Sequence, residues 1–256
     1  MKIICIGDVH GRKVWKDIIT QENPDKVVFI GDYWDSFDIP FQDQMKNFLE
    51  IVHYKVSHPN TVLLLGNHDF HYTRFAGEFY SGYQQLHQYE IAAAIDIHKQ
   101  HFQVAHQEEN ILFTHAGLTK TWWEANKEHA PRMIIQQHKV AEHINDIYEF
   151  TPRVFRFTGP DSYGENITES PLWVRPHALR QDAFPGLIQV VGHTAMNIIK
   201  RTDGTFPVWF IDVLDRTNEY LVITDGVFEV ERLPLQSNWQ IKMMNKLKKT
   251  DNDKKR

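Results

Sequence analysis

Five short stretches decide how this chain folds. Ile3-Ile-Cys-Ile6 runs into Gly7-Asp8-Val9-His10-Gly11, and Val27-Val-Phe-Ile30 into Gly31-Asp32-Tyr33-Trp34-Asp35. Val62-Leu-Leu-Leu65 runs into Gly66-Asn67-His68-Asp69, Ile111-Leu-Phe113 into Thr114-His115-Ala116-Gly117, and Ile188-Gln-Val-Val191 into Gly192-His193-Thr194. Each apolar run reads as a buried strand. Each ends on a side chain that can bind a metal or move a proton. In four of the five a glycine comes first, a residue that permits φ > 0 and lets backbone turn close to a ligand.

Working outward, residues 12–22 place Val14, Trp15, Ile18 and Ile19 on one helical face. Residues 41–56 align Phe41, Met45, Phe48, Leu49, Val52 and Val56 behind Pro40. The order β-α-β-α-β predicts a sheet built from parallel crossovers. Further on, the pattern predicts a helix over residues 86–97 and strands over 102–105 and 111–114. Thr121-Trp-Trp-Glu124 has the spacing of a capping box. Pro131 is expected to open a helix with Ile134, Ala141, Ile144 and Tyr148 inward. Strands are expected over residues 188–191, 207–213, 220–224 and 228–233, with Asp225-Gly226 as the turn between the last two. Trp34 is placed at a pocket mouth, and Trp122 and Trp123 in the core.

The chain has 256 residues, 42% hydrophobic and 24% charged. That composition excludes disorder as the main state. At ~150 residues per domain the length allows one or two domains. No linker marks a boundary, so one α/β domain is expected over residues 1–240, with insertions at about 70–110 and 151–187. Residues 241–256 hold seven Lys/Arg against two Asp, a net +5, and are expected to be a flexible basic tail. The other 240 residues carry 21 basic and 31 acidic groups, a net −10, which argues against stable nucleic-acid binding. No run approaches ~18 apolar residues, so no membrane span is expected. The first apolar run is too short for a signal peptide. The single cysteine, Cys5, points to a reducing, cytoplasmic compartment. Fifteen histidines are the unusual feature of the composition.

In open α/β sheets, ligands sit beyond the carboxyl ends of the strands. The five strand ends would bring Asp8, His10, Asp32, Asn67, His115 and His193 together. Carboxylate, imidazole and amide donors without cysteine suit Mn, Fe, Zn or Co. Three carboxylate or imidazole groups could serve one metal; six ligands with one shared carboxylate serve two.

The five blocks, in this order, resemble the metallophosphoesterase (calcineurin-like phosphoesterase) superfamily, and its bacterial and phage phosphatase-like members in particular. That family's pattern is Gly-Asp-x-His, Gly-Asp-x-x-Asp, Gly-Asn-His-(Asp/Glu), a strand-end His, then Gly-His-(Thr or x-His). The resemblance implies a four-layer α-β-β-α sandwich of two mixed sheets flanked by helices. It implies two divalent metal ions per chain, manganese before iron or zinc. Asp8 and His10 would bind the first metal and Asp32 both; Asn67, His115 and His193 would bind the second. A metal-bridging hydroxide would attack phosphorus in line with the leaving oxygen. His68 would protonate that oxygen or hold phosphate, with Asp35 orienting it and Asp69 as a supporting partner.

One departure matters. Protein phosphatases of the superfamily carry Asp-Arg-Gly in the second block, whereas Asp35 is followed by Ser36-Phe37. Arg175, in Ser170-Pro-Leu-Trp-Val-Arg175, and Arg12 are the candidates to replace that phosphate-gripping arginine. His71 is a third substrate-binding candidate. The expected activity is phosphomonoester hydrolysis on a phosphorylated small molecule, nucleotide or phosphoprotein. The alternatives are a nucleotide phosphodiesterase or dinucleoside polyphosphate hydrolase, and a catalytically inactive metal-binding scaffold.

Overall fold

The computed structural model describes residues 1–77, 79–130, 140–159 and 163–234. The expected helix start at Pro131, Ile134 and the basic tail 241–256 lie outside the described residues. The opening half builds β1 (Lys2–Ile6), α1 (Trp15–Glu22), β2 (Lys26–Phe29), α2 (Phe41–Ser57) and β3 (Thr61–Leu64). A single short turn of helix, α3 (Asn67–Phe70), follows, and then α4 (Gln88–His98). Next come β4 (Phe102–Gln103), β5 (Ala105–Glu108), β6 (Ile111–Thr114), α5 (Lys120–Asn126) and α6 (Val140–Phe150). The chain continues through α7 (Pro176–Asp182), β7 (Ile188–Val191), β8 (Lys200–Arg201), β9 (Val208–Phe210), β10 (Glu219–Thr224) and β11 (Val227–Arg232).

Two mixed sheets result. One runs β11-β10-β1-β2-β3-β4 and the other β5-β6-β7-β9-β8. β1, β2, β3 and β4 are parallel neighbours, and so are β6, β7 and β9. β10 and β11 form an antiparallel hairpin against β1. The expected single strand over 102–105 is two: Phe102–Gln103 pairs with β3, and Ala105–Glu108 pairs antiparallel with β6. The chain therefore passes from one sheet to the other at Val104.

Strand alternation sorts the side chains into layers. Ile3, Cys5, Val28, Val62, Leu64, Leu221 and Ile223 meet Ile111, Phe113, Val190 and Trp209 between the sheets. The opposite faces carry Ile4, Ile6, Val27, Phe29 and Leu63 against α1, α2 and α4. Leu112 packs with α5 and α6, and Val191 and Phe210 pack with α7. Helices thus cover both outer faces, and the arrangement is the expected α-β-β-α sandwich. Each fully buried aliphatic or aromatic side chain in these layers contributes roughly 1.5–3 kcal/mol.

Three local expectations are corrected. On α2, Leu49 and Val56 are exposed at 44% and 59%, while Gln44 and Asn47 are buried. Asn47 turns that face inward because its side chain accepts from Trp15 Nε1 at 3.0 Å and donates to the Arg12 carbonyl at 3.1 Å. Helix α5 is capped by Thr119, whose Oγ1 accepts from the Trp122 amide at 3.1 Å, instead of by Thr121. Trp34 is fully buried among Phe41 and Phe48 and does not line a pocket mouth. Trp122, Trp123 and Cys5 are buried as expected. Among the described residues, no helix is long and apolar enough to cross a membrane.

Candidate metal centre

The carboxyl ends of β1, β2, β3, β6 and β7 point the same way, and their next residues converge. The turns are sharp. His10, Asp32, Asp35 and His193 all sit in the left-handed region, with φ of 41°, 52°, 66° and 63°. Non-glycine residues hold such backbone only where their surroundings demand it. Glycine does a different job beside them. A Cβ on Gly66 would overlap Asp32 Oδ1, and a Cβ on Gly192 would overlap Asp8 Oδ1. At those two positions the motif glycines are there for close approach, not for φ.

Three donors from three strand ends meet at one point. Asn67 Oδ1 lies 2.8 Å from His115 Nε2 and 2.9 Å from His193 Nδ1. Asp32 Oδ2 stands 3.4 Å from the same His115 nitrogen. On the other side, His10 Nε2 is 3.8 Å from Asp32 Oδ2. Asp8 accepts the His193 amide on both oxygens, each at 3.1 Å. Oxygen and nitrogen atoms of Asp8, Asp32 and His115 lie within 4.8 Å of one another.

Backbone carbonyls fix the ring orientations. His115 Nδ1 meets the Ile30 carbonyl at 2.9 Å, and His10 Nδ1 meets that of Trp34 at 2.5 Å. A carbonyl only accepts, so each Nδ1 carries a proton, and each ring when neutral turns the Nε2 lone pair inward. For His115 that lone pair faces the Asn67 oxygen. Such a pair of acceptors needs a proton or a cation between them. His193 Nε2 is buried without a hydrogen-bond partner, its ring edge-on to Trp173 at 5.7 Å. This donor set fits a hard or borderline divalent cation.

Charge gives the same answer. Asp8, Asp32, Asp69 and Asp212 are all buried. Burial, then Asp212 and Asp32, push the Asp8 carboxyl well above its ordinary range. Burial and the Asp32 charge push both Asp69 and Asp212 up to about 7. Burial would also raise Asp32, but the imidazoles of His115, His68 and His10 hold it well below the usual carboxylate range. Asp69 is the exception in its bonding. It accepts the amides of Asp32, Tyr33 and Gly66 at 2.9, 2.9 and 2.8 Å, and so clamps two strand ends together.

His68 stands beside this cluster. Its amide donates to Asp32 Oδ1 at 2.9 Å and its Nδ1 meets Asp35 Oδ2 at 2.9 Å. Asp35 also accepts from Tyr72 Oη at 2.5 Å and from Gln84 Nε2 at 3.4 Å. His71 is fully buried and does not line the cavity over the cluster. Its Nε2 touches Asp35 Oδ2 at 2.6 Å, a close contact without hydrogen-bond alignment. Burial lowers the His71 pKa, against the pull of Asp35.

A cavity of about 440 Å³ opens over the cluster, lined by Asp8, His10, Arg12, Asp35, His68 and Asp212 among others. Arg12 reaches it with its guanidinium 3.8 Å from Asp38. Arg175 does not line it. It precedes α7, packs along Gly164, and its charge contributes to lowering the His193 pKa after burial and His115. The two arginines therefore flank the cluster on the His10 and His193 sides. Sequence reasoning missed Asp212. Its signal was an acid inside the apolar run Val208-Trp-Phe-Ile-Asp-Val213.

The charges set a sign for stability against pH in the metal-free protein. Burial opposes protonation of His68, but Asp32 and Asp35 outweigh it and push its pKa up to about 9. His115 is raised as well, burial being outweighed chiefly by Asp32. A raised histidine stabilises fully below its unfolded pKa of about 6.5, and that contribution is lost as pH rises through the folded value. Asp69 and Asp212, with folded values of about 7, act in the same direction at lower pH. His10, His71 and His193, held neutral, oppose this only below about 6.5. The Tm of the metal-free protein is therefore expected to fall between pH 7 and 9 in scanning calorimetry. A flat or rising Tm over that range would contradict a protonated His68 paired with Asp35.

No curated protein matches this chain in sequence. Solved structures do match in fold. A cold-active protein-tyrosine phosphatase from a psychrophilic Shewanella species superposes with a TM-score of 0.59 at 14% identity, covering 90% of this chain and 80% of that one. A protein serine/threonine phosphatase from Saccharomyces cerevisiae superposes at 0.54, again at 14% identity, covering 93% and 82%. The sequence profile of the calcineurin-like phosphoesterases matches residues 1–196, which contain all five strand-end motifs. The chain belongs to the calcineurin-like phosphoesterase family and is a metal-dependent phosphoric ester hydrolase.

Proposed function

We propose that the chain is a phosphomonoesterase working through a pair of divalent metal ions, with manganese favoured and iron or zinc as alternatives. The observation that carries this reading is the meeting of Asn67 Oδ1, His115 Nε2 and His193 Nδ1 within 2.8–2.9 Å, beside an Asp32 carboxylate shared with the His10 side. Asp8, His10 and Asp32 would hold one ion; Asp32, Asn67, His115 and His193 would hold the other. When bound, the ions polarise the phosphoryl oxygens and activate water for in-line attack.

The chain's own residues do the rest. The His115 and His10 rings are held with lone pairs inward by the Ile30 and Trp34 carbonyls. His68 keeps Nδ1 on Asp35, which leaves Nε2 free to protonate the departing alkoxide. Asp35 stays anionic because His68 and His71 offset its burial, with Tyr72 donating to its other oxygen. Arg12, which lines the cavity, takes a phosphoryl oxygen, and Arg175 adds positive charge on the His193 side. His71 acts through Asp35, holding the carboxylate that aims His68.

The cavity wall is acidic. Asp38 and Asp215 stand at its rim with a single arginine, Arg12, among the lining residues. A second reading, a nucleotide phosphodiesterase or dinucleoside polyphosphate hydrolase, draws support from Phe37, which lines the cavity 84% exposed and offers a face to a base. The test is hydrolysis of p-nitrophenyl phosphate and bis(p-nitrophenyl) phosphate by manganese-loaded protein, with Asn67→Ala as control. The expected result is monoester turnover that Asn67→Ala abolishes. Turnover of the diester alone would support the second reading, and no turnover of either would overturn both.

A further inference from the structure

We propose that Asp212 is an additional ligand on the Asp8–His10 side of the centre, supplying from a sixth strand end the donor which the five sequence motifs leave missing there. This rests on the metal-pair reading above. The donors known from the motifs are unevenly shared. Besides the common Asp32, one side has Asn67, His115 and His193, and the other has only Asp8 and His10. Ala195, which also lines the cavity, has no donor atom to give.

Topology puts Asp212 in the right place. β9 is parallel to β7, and β7 to β6, so its carboxyl end points where His115 and His193 lie. Asp212 follows that end by two residues, as Asp8 follows β1 by two. The two strand ends are pressed together: a Cβ on Gly7 would overlap the Ile211 carbonyl oxygen and lie 3.4 Å from Asp212 Cα. The side chain faces the cavity shared with Asp8, His10 and His68.

Its bonding state is the second, independent observation. Asp212 is only 8% exposed. Yet among the described residues its carboxylate accepts no hydrogen bond and makes no ion pair, although its backbone carbonyl takes the Met196 amide at 2.8 Å. Asp69 shows what this protein does with a buried acid of structural purpose: three backbone amides converge on it. A largely buried carboxylate without a protein partner is stabilised by a cation held in the cavity it lines. Asp8, His10 and an unpartnered acid thus line one cavity as candidate donors for one ion.

The experiment is Mn²⁺ titration by isothermal calorimetry, with bound metal counted by mass spectrometry, on wild type, Asp212→Asn and Asp212→Ala. Wild type is expected to take two ions. Both variants are expected to keep one at wild-type affinity and to bind the other at least about 10-fold more weakly. The metal-free Tm of Asp212→Asn is expected to stay at or above that of wild type, since an uncompensated charge has been removed. Wild-type affinity at both sites in the variants would overturn the proposal. So would a metal-free Asp212→Asn with lowered Tm and equal weakening of both sites, which marks a structural acid. A wild type binding fewer than two ions would overturn the metal-pair reading itself and this inference with it, a result distinguishable because it needs no variant.

Discussion

Asp32→Asn is expected to lower kcat/KM for a monoester on the order of 10⁴-fold and to reduce bound metal below two ions per chain. Asp32 stands between the two sides, with His10 Nε2 at 3.8 Å and His115 Nε2 at 3.4 Å from the same oxygen. A Lewis-acidic pair is worth several kcal/mol at a phosphoryl centre, and each 1.36 kcal/mol is tenfold in rate. Asparagine keeps the acceptor for the His68 amide, so the turn after β3 survives. The carboxamide cannot supply the negative charge that offsets two cations. Metal counting and steady-state kinetics on the same preparation check this. Two bound ions with activity within tenfold of wild type would show that Asp32 does not bridge.

His68→Ala is expected to have the second-largest effect, and one that depends on the leaving group. An alkyl phosphate releases an alkoxide that needs a proton, so its turnover should fall by roughly 10²–10⁴. A p-nitrophenyl ester leaves as a stable anion and should lose far less. Asp35→Asn should reproduce part of the pattern, because the neutral amide cannot support the imidazolium that Asp35 holds at 2.9 Å. The comparison is made as a series of aryl and alkyl monoesters plotted against leaving-group pKa. An equal loss across the series would mean that His68 grips phosphate and does not donate the proton.

Much of this architecture was legible in the sequence because its decisive contacts are made by residues next to strand ends. An apolar run of four followed by Gly-Asp or Gly-Asn-His specifies both a buried strand and the side chain beyond it. The convergence of Asp32, Asn67, His115 and His193 follows from five parallel ends in two facing sheets. What the sequence hid are choices made by tertiary contacts. The rotation of α2 is set by Asn47 bridging to Trp15, which no hydrophobic periodicity encodes. The exchange of sheets at Val104 lies inside an apparently continuous strand, and Asn145 satisfies the freed amides of Val104 and Ala105 at 2.9 and 3.0 Å. Trp34 sits between two polar residues of a motif yet faces the core, since Asp35 beyond it turns back with φ of 66°. Asp212 escaped notice because Ile211, not glycine, precedes it. His71 looked like a residue at the substrate because it follows His68 by three positions; it stands just past the short helix α3, buried against Asp35, and is not among the residues lining the cavity.

The central claim is that two cations share the Asp32 carboxylate. Anomalous diffraction from crystals grown with Mn²⁺ tests it most directly. Two peaks ~3.5–4 Å apart, one beside Asp8 and His10 and the other beside Asn67, His115 and His193, are the expected result. A single peak, or ions bound elsewhere while these six side chains keep their positions, would contradict it.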